Sequence, residues 1–233
     1  MMLSLKNYWQ QVSQLFFPHL CMGCGSDIIA LDALLCTRCY LQLPVTGFFN
    51  AANNPVEQSF YGRVPIAAAA AAFYFTKNAL LQHLLFQLKY KGHQKTGIWL
   101  GKQVGYQIMN SPRFAPIDAV VPLPLHPKKQ RLRGYNQAAL IASGICSVIQ
   151  QPLITHALTR TRFTQTQTKK NRAERWVNME DAFTVVLPEL LHNKHVVLVD
   201  DVITTGATLE ACASALLAAS VASVRIATVA YTI

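Results

Sequence analysis

The hydrophobic pattern becomes regular one quarter of the way along the chain. Residues 64–75 (VPIAAAAAAFYF) form an uncharged run, the pattern of a strand buried on both faces. Leu80, Leu81, Leu84, Leu85 and Leu88 recur at helical spacing and predict a helix over 79–89, with a second over 96–110. A short apolar strand is expected at 118–123, closed by Pro122 and Pro124, and an amphipathic helix at 136–149. Then come a strand at 195–199, a helix at 208–219 and a last strand at 224–230. Strands alternating with helices predict an α/β fold with a mostly parallel sheet covered on both faces. Before this region, 45–63 is rich in Asn, Gly and Pro and lacks periodicity, as a linker or loop does. At the start, Leu5, Tyr8, Trp9, Val12, Leu15 and Phe16 are spaced as on a helix, with no uninterrupted signal-peptide core.

Composition narrows the class. At 233 residues, with 52% hydrophobic and 14% charged, the chain reads as globular and long enough for one α/β domain plus a smaller module. The run at 64–75 is shorter than the ~20 residues of a membrane span, so no membrane insertion is expected. A net charge of +10 favours polyanionic ligands, either nucleic acid or pyrophosphate esters. Four of the six cysteines, Cys21, Cys24, Cys36 and Cys39, form two C-x-x-C pairs. Two such turns each present two thiolates to one tetrahedral ion, and four closed ligands make a structural Zn²⁺ site with no open position. Gly25 suits the tight knuckle, and zinc would supply folding energy to a module too small to hold a core. Metal binding fits a reducing, cytoplasmic location better than disulfides. Cys146 and Cys212 sit alone in apolar helical patterns and read as buried thiols.

The segment 196–208 (VVLVDDVITTGAT) carries the most chemistry. An apolar strand runs into two adjacent carboxylates, Asp200 and Asp201, and then into Thr204, Thr205, Gly206, Ala207 and Thr208 ahead of a helix. The helix N-terminus offers amides and partial positive charge to a phosphate, which small residues let approach. The carboxylates are acceptors suited to a ribose 2′,3′-diol, directly or beside Mg²⁺. A P-loop ATPase is excluded, because the nearest string, GIWLGKQ at 97–103, is one residue short and ends in Gln.

This segment resembles the phosphoribosyl-pyrophosphate signature of type I phosphoribosyltransferases. Together with the four-cysteine module and the strings VPLPLHPKKQRLRGYNQ and QTKKNRAERWVN, the chain resembles the ComF family, whose members are linked to DNA uptake in natural competence. The resemblance implies an N-terminal helix and zinc ribbon (1–46), a linker (47–63) and a phosphoribosyltransferase-like domain (64–233). It implies a transferase that takes phosphoribosyl from its pyrophosphate, with Mg²⁺, to an acceptor the sequence does not name. Asp200 and Asp201 would be catalytic and hold the ribose, and Thr204 to Thr208 would hold the 5′-phosphate. Ten of the 21 basic residues lie in 126–133 and 160–175. The resemblance makes the first stretch, with Arg131 and Arg133, the pyrophosphate contact, and the second, with Lys169, Lys170 and Arg172, a flexible loop over the site. The cap above the acceptor is expected from 60–63 and 89–93.

The same cations support a second reading. A non-catalytic accessory protein would bind single-stranded DNA along them, with Tyr135, Phe163 and Trp176 as stacking platforms. Candidate partners are therefore phosphoribosyl pyrophosphate, single-stranded DNA, proteins of the DNA-uptake machinery and a second copy of the chain.

Overall fold

The computed structural model describes residues 19–30, 33–77, 79–160 and 182–232. Its centre is a four-stranded, all-parallel sheet of β1 (Ala68–Phe75), β2 (Ala119–Pro122), β5 (His195–Ile203) and β6 (Ser223–Thr232), in the order β1-β6-β5-β2. An antiparallel pair, β3 (Leu158–Arg160) and β4 (Phe183–Val185), stands apart from it. The helices are α1 (Thr37–Leu41), α2 (Pro55–Gln58), α3 (Leu80–Tyr90), α4 (Gln94–Met109), α5 (Pro127–Arg133), α6 (Gln137–Ile149) and α7 (Ala207–Ala218). Among the described residues no helix is long and apolar enough to cross a membrane.

Alanines 68 to 72 favour helix intrinsically, yet all five are buried in β1, because sheet pairing and cover on both faces override propensity. β1 starts later than the apolar run does, since Pro65 has no N–H to give a ladder. β5 runs farther than the apolar run. Asp200 and Val202 stay in register with Thr228 and Ala230 of β6, so both acids are strand residues rather than turn residues.

The aperiodic segment 47–63 is packed into the core, burying Phe48, Phe49, Val56 and Phe60. Its polar residues are spent on the backbone. Asn54 caps α2 through Val56 and Glu57 N–H and donates to the carbonyls of Ala51 and Ala69. Buried Glu57 accepts from Arg113 and from the N–H groups of Asn53 and Ala69.

The four-cysteine module rests on the helices that follow β1. Tyr40 packs edge-on against Trp99 at 6.2 Å and donates to Gln103, both on α4, and Thr96 Oγ1 lies 3.3 Å from the Met22 sulfur.

Candidate functional site

In the small module the Sγ atoms of Cys21, Cys24, Cys36 and Cys39 lie within 4.8 Å of one another. A tetrahedral ion with ~2.3 Å bonds to sulfur needs S···S spacings of ~3.8 Å, and Cys24 and Cys36 already stand at 3.7 Å. The four can therefore hold a metal. Gly25 takes φ +73° and donates its N–H to the Cys21 carbonyl, closing the knuckle in a conformation that a side chain resists. Burial raises the Cys21 thiol, but N–H groups aimed at its sulfur from Cys36, Cys24 and Gly23 outweigh this and bring it to about 6. Burial pushes Cys39 up to about 12, with the other three sulfurs adding to the effect. Sulfurs crowded this closely, one with its thiolate stabilised and another with its thiolate disfavoured, form an arrangement that a cation relieves.

The second site lies at the carboxyl end of the parallel sheet, where β5 meets α7. Successive strand residues face opposite sides, so the two acids meet different partners. Asp201, 6% exposed at its side chain, faces α3, and Lys89 Nζ lies 3.0 Å from both of its oxygens. The ammonium is aligned to donate to Oδ1. Buried Oδ2 lies equally close to that ammonium, but among the described residues no donor is aligned with it. Asp200 accepts the Asp201 N–H at 2.8 Å. Burial, and then the adjacent Asp201 charge, push Asp200 up to about 8 against the opposing fields of Lys89 and Arg160. On α7, Cys212 is held well above the usual thiol range by burial and by Asp200.

Past Ile203 the chain turns through Thr204 and Thr205, both exposed, to Gly206, which is buried at φ +74°. A Cβ on Gly206 would meet the Phe60 ring at 3.2 Å. Among the described residues no side chain caps α7, so its first-turn N–H groups, beginning at Ala207 and Thr208, are available to an anion. The first turn also carries buried Glu210, an acid at a phosphate-type terminus. Arg63 neutralises it with an ion pair and donates to the Thr205 carbonyl at 3.3 Å. Phe60 and Arg63 thus brace the turn itself, although 60–63 was expected to cap an acceptor.

The basic stretch after β2 is the helix α5, with Pro127 at its first turn, His126 as N-cap and Gly134 closing it. Arg131 is exposed, whereas Arg133 is half-buried, donates to Gln137 and lies over the Tyr90 ring at 5.8 Å. Tyr135 donates its hydroxyl to the Leu88 carbonyl and is half-buried, so its ring is tied to α3. Lys169, Lys170 and Arg172, with Phe163 and Trp176, lie outside the described residues. Two contributors were not singled out for these roles in the sequence: Lys89 as the partner of Asp201 and Arg63 as the brace of the turn. The one signal for Lys89 was a cation at the end of an otherwise uncharged helix.

The sequence pattern of the phosphoribosyl transferase domain family matches residues 138–232, which contain β5, the acids, the turn and α7. The DNA utilization protein YhgH of Escherichia coli K12 is 30% identical over 149 residues, covering 63% of this chain and 65% of that protein. Competence protein F of Haemophilus influenzae is 36% identical over 93 residues, 40% of this chain and 41% of its own length. Among solved structures, glutamine phosphoribosylpyrophosphate amidotransferase from B. subtilis aligns with a TM-score of 0.42 and 18% identity, over 61% of this chain and 30% of that one. Residues 138–232 thus carry a phosphoribosyl transferase domain on a parallel sheet, in a chain that has an N-terminal four-cysteine cluster and is similar to the DNA utilization and competence proteins over part of their length.

Proposed function

We propose that the protein binds the magnesium complex of phosphoribosyl pyrophosphate and transfers the phosphoribosyl group to a nucleophilic acceptor. The observation that carries this reading is the junction of β5 and α7. A carboxylate oxygen of Asp201 with no aligned donor and a helix N-terminus with no side-chain cap, both among the described residues, stand one short turn apart. The side chains of Asp201 and Asp200 hydrogen-bond the ribose hydroxyls, and the turn from Thr204 to Thr208 donates to the 5′-phosphate. In the transfer, the acceptor's lone pair forms a bond to the anomeric carbon. The bond from that carbon to the pyrophosphate oxygen breaks, and pyrophosphate leaves with the electron pair. Charge builds on the leaving group, where Arg131 and Arg133 of α5 offer cations. Zinc is the ion we assign to the four cysteines, with a structural role, since four thiolates leave no position for substrate.

The test is the melting temperature with the magnesium complex of the ester. A ligand at a hundred times its Kd stabilises the fold by ~2.7 kcal/mol, and Asp201→Asn should abolish most of that shift. No shift in the parent, or an equal shift in the variant, removes the assignment.

A second reading, binding of single-stranded nucleic acid, is supported by aromatic side chains that the structure leaves exposed among the cations of α3 and α5. Salt-dependent binding of an oligonucleotide tests it.

A further inference from the structure

Helix α3 has two faces. Leu81, Leu84, Leu85 and Leu88 are buried in the core, and a helix of this kind ordinarily turns polar residues to solvent. Instead the outer surface carries Phe86, 46% exposed, and Tyr90, 67% exposed. They are four residues apart, one helical turn, and their ring centroids lie 5.2 Å apart at 45°. Cations address both rings: Lys91 Nζ is 5.9 Å from the Phe86 centroid, and Arg133 of α5 is 5.8 Å from that of Tyr90. The bond from Tyr135 to the Leu88 carbonyl ties the chain after α5 to α3. Neither helix contains an acidic residue.

Rings and cations together specify the occupant. Phosphoribosyl pyrophosphate would use the charges and leave the rings idle, and an acidic peptide would do the same. A duplex keeps its bases paired and stacked internally. A single strand offers unpaired bases to aromatic faces and phosphates to cations at once, and every base can stack, so no sequence reading is needed. We propose that the outer face of α3 is the stacking platform of a single-strand site, with Phe86 and Tyr90 receiving bases and Lys91 and Arg133 meeting the backbone. The proposal rests on the second reading above. It replaces Tyr135 as the platform, because that ring is half-buried with its hydroxyl already used.

The experiment is fluorescence anisotropy of the full chain with a labelled single-stranded oligonucleotide, an abasic oligonucleotide of equal length and the matching duplex, across a salt series. The double variant Phe86→Ala/Tyr90→Ala should bind the ordinary strand at least ~10-fold more weakly, with an unchanged salt slope, because stacking is lost and phosphate contacts are not. Phe86→Leu/Tyr90→Leu, which keeps apolar bulk and removes only the aromatic faces, should show the same loss. Lys91→Ala should instead reduce the slope by about 0.7, the share of one phosphate. The parent should bind the abasic strand about as weakly as the variants bind the ordinary one, and should bind the duplex less well than the single strand. If either double variant binds like the parent, or the parent binds abasic and ordinary strands equally, the platform is refuted while nucleic-acid binding stands. If the parent binds no oligonucleotide, both the platform and the reading beneath it fail.

Discussion

Lys89→Met separates the electrostatics of the acidic site from its packing, because methionine preserves much of the side-chain stem and removes the charge. In the parent, Lys89 Nζ lies 3.0 Å from both Asp201 oxygens, with side-chain exposures of 24% and 6%. The variant leaves a buried carboxylate beside Asp200 without its nearest cation. Removing one partner of a buried pair costs ~3–5 kcal/mol, and the partial exposure of Lys89 lets water reach the site and puts the expected loss near ~3 kcal/mol. For a chain of this size each kcal/mol shifts the melting temperature by ~2–4 °C, so a drop of ~6–12 °C follows. Asp201→Asn removes the stranded charge, and the double variant Lys89→Met/Asp201→Asn should recover most of the loss. The assay is urea unfolding of the parent, both single variants and the double variant without ligand. A coupling energy of ~1–3 kcal/mol is expected from residues in direct contact. Additive effects, or a single Lys89→Met variant that melts within ~1 °C of the parent, would show that the pair is not the counter-charge of the site.

Other expectations follow from neighbouring groups. Elemental analysis should give one zinc per chain, with Cys36→Ser losing the metal and chelation lowering the melting temperature, because metal binding is folding energy for such a module. Arg63→Ala strands Glu210 and the Thr205 carbonyl at the phosphate turn. An unpaired buried group costs ~1–3 kcal/mol of stability, and the uncompensated Glu210 charge at the turn should weaken binding of phosphoribosyl pyrophosphate in calorimetry; a changed acceptor preference with intact affinity would contradict this. Asp200 is held near 8 when folded and titrates near ~3.9 when unfolded, so between those values the folded state keeps a proton that the unfolded chain releases. Stability should therefore decline as pH rises through that window and level off above it. Asp200→Asn should melt higher than the ligand-free parent, by a margin that grows from pH ~5 to ~8 and then stays constant; a margin independent of pH would refute the assignment.

The elements whose signal is local were legible in the sequence. The leucine spacing of α3, the apolar run ending in two acids and the small-residue turn before α7 each declare themselves within about a dozen consecutive residues, as does the pairing of the cysteines. The alternation of these elements was enough for a parallel α/β sheet, because a strand buried on both faces needs helices to cover it. The partners of the candidate site were not legible. Lys89 is 112 residues from Asp201, and Arg63 is 142 from Thr205, so no window of sequence contains both members of either pair. The segment 47–63 gave no periodic signal because it fills the core from turns, with Phe48, Phe49, Val56 and Phe60 at irregular intervals. Phe86 looked like any apolar residue on a leucine-rich helix and Tyr90 was expected in the acceptor cap, and the tertiary structure showed that both rings stand exposed side by side on α3. The sequence by itself determined which backbone stretches pair or coil, since that depends on neighbours along the chain; the tertiary structure decided which charge answers which and which apolar rings stay uncovered, since both depend on neighbours in space.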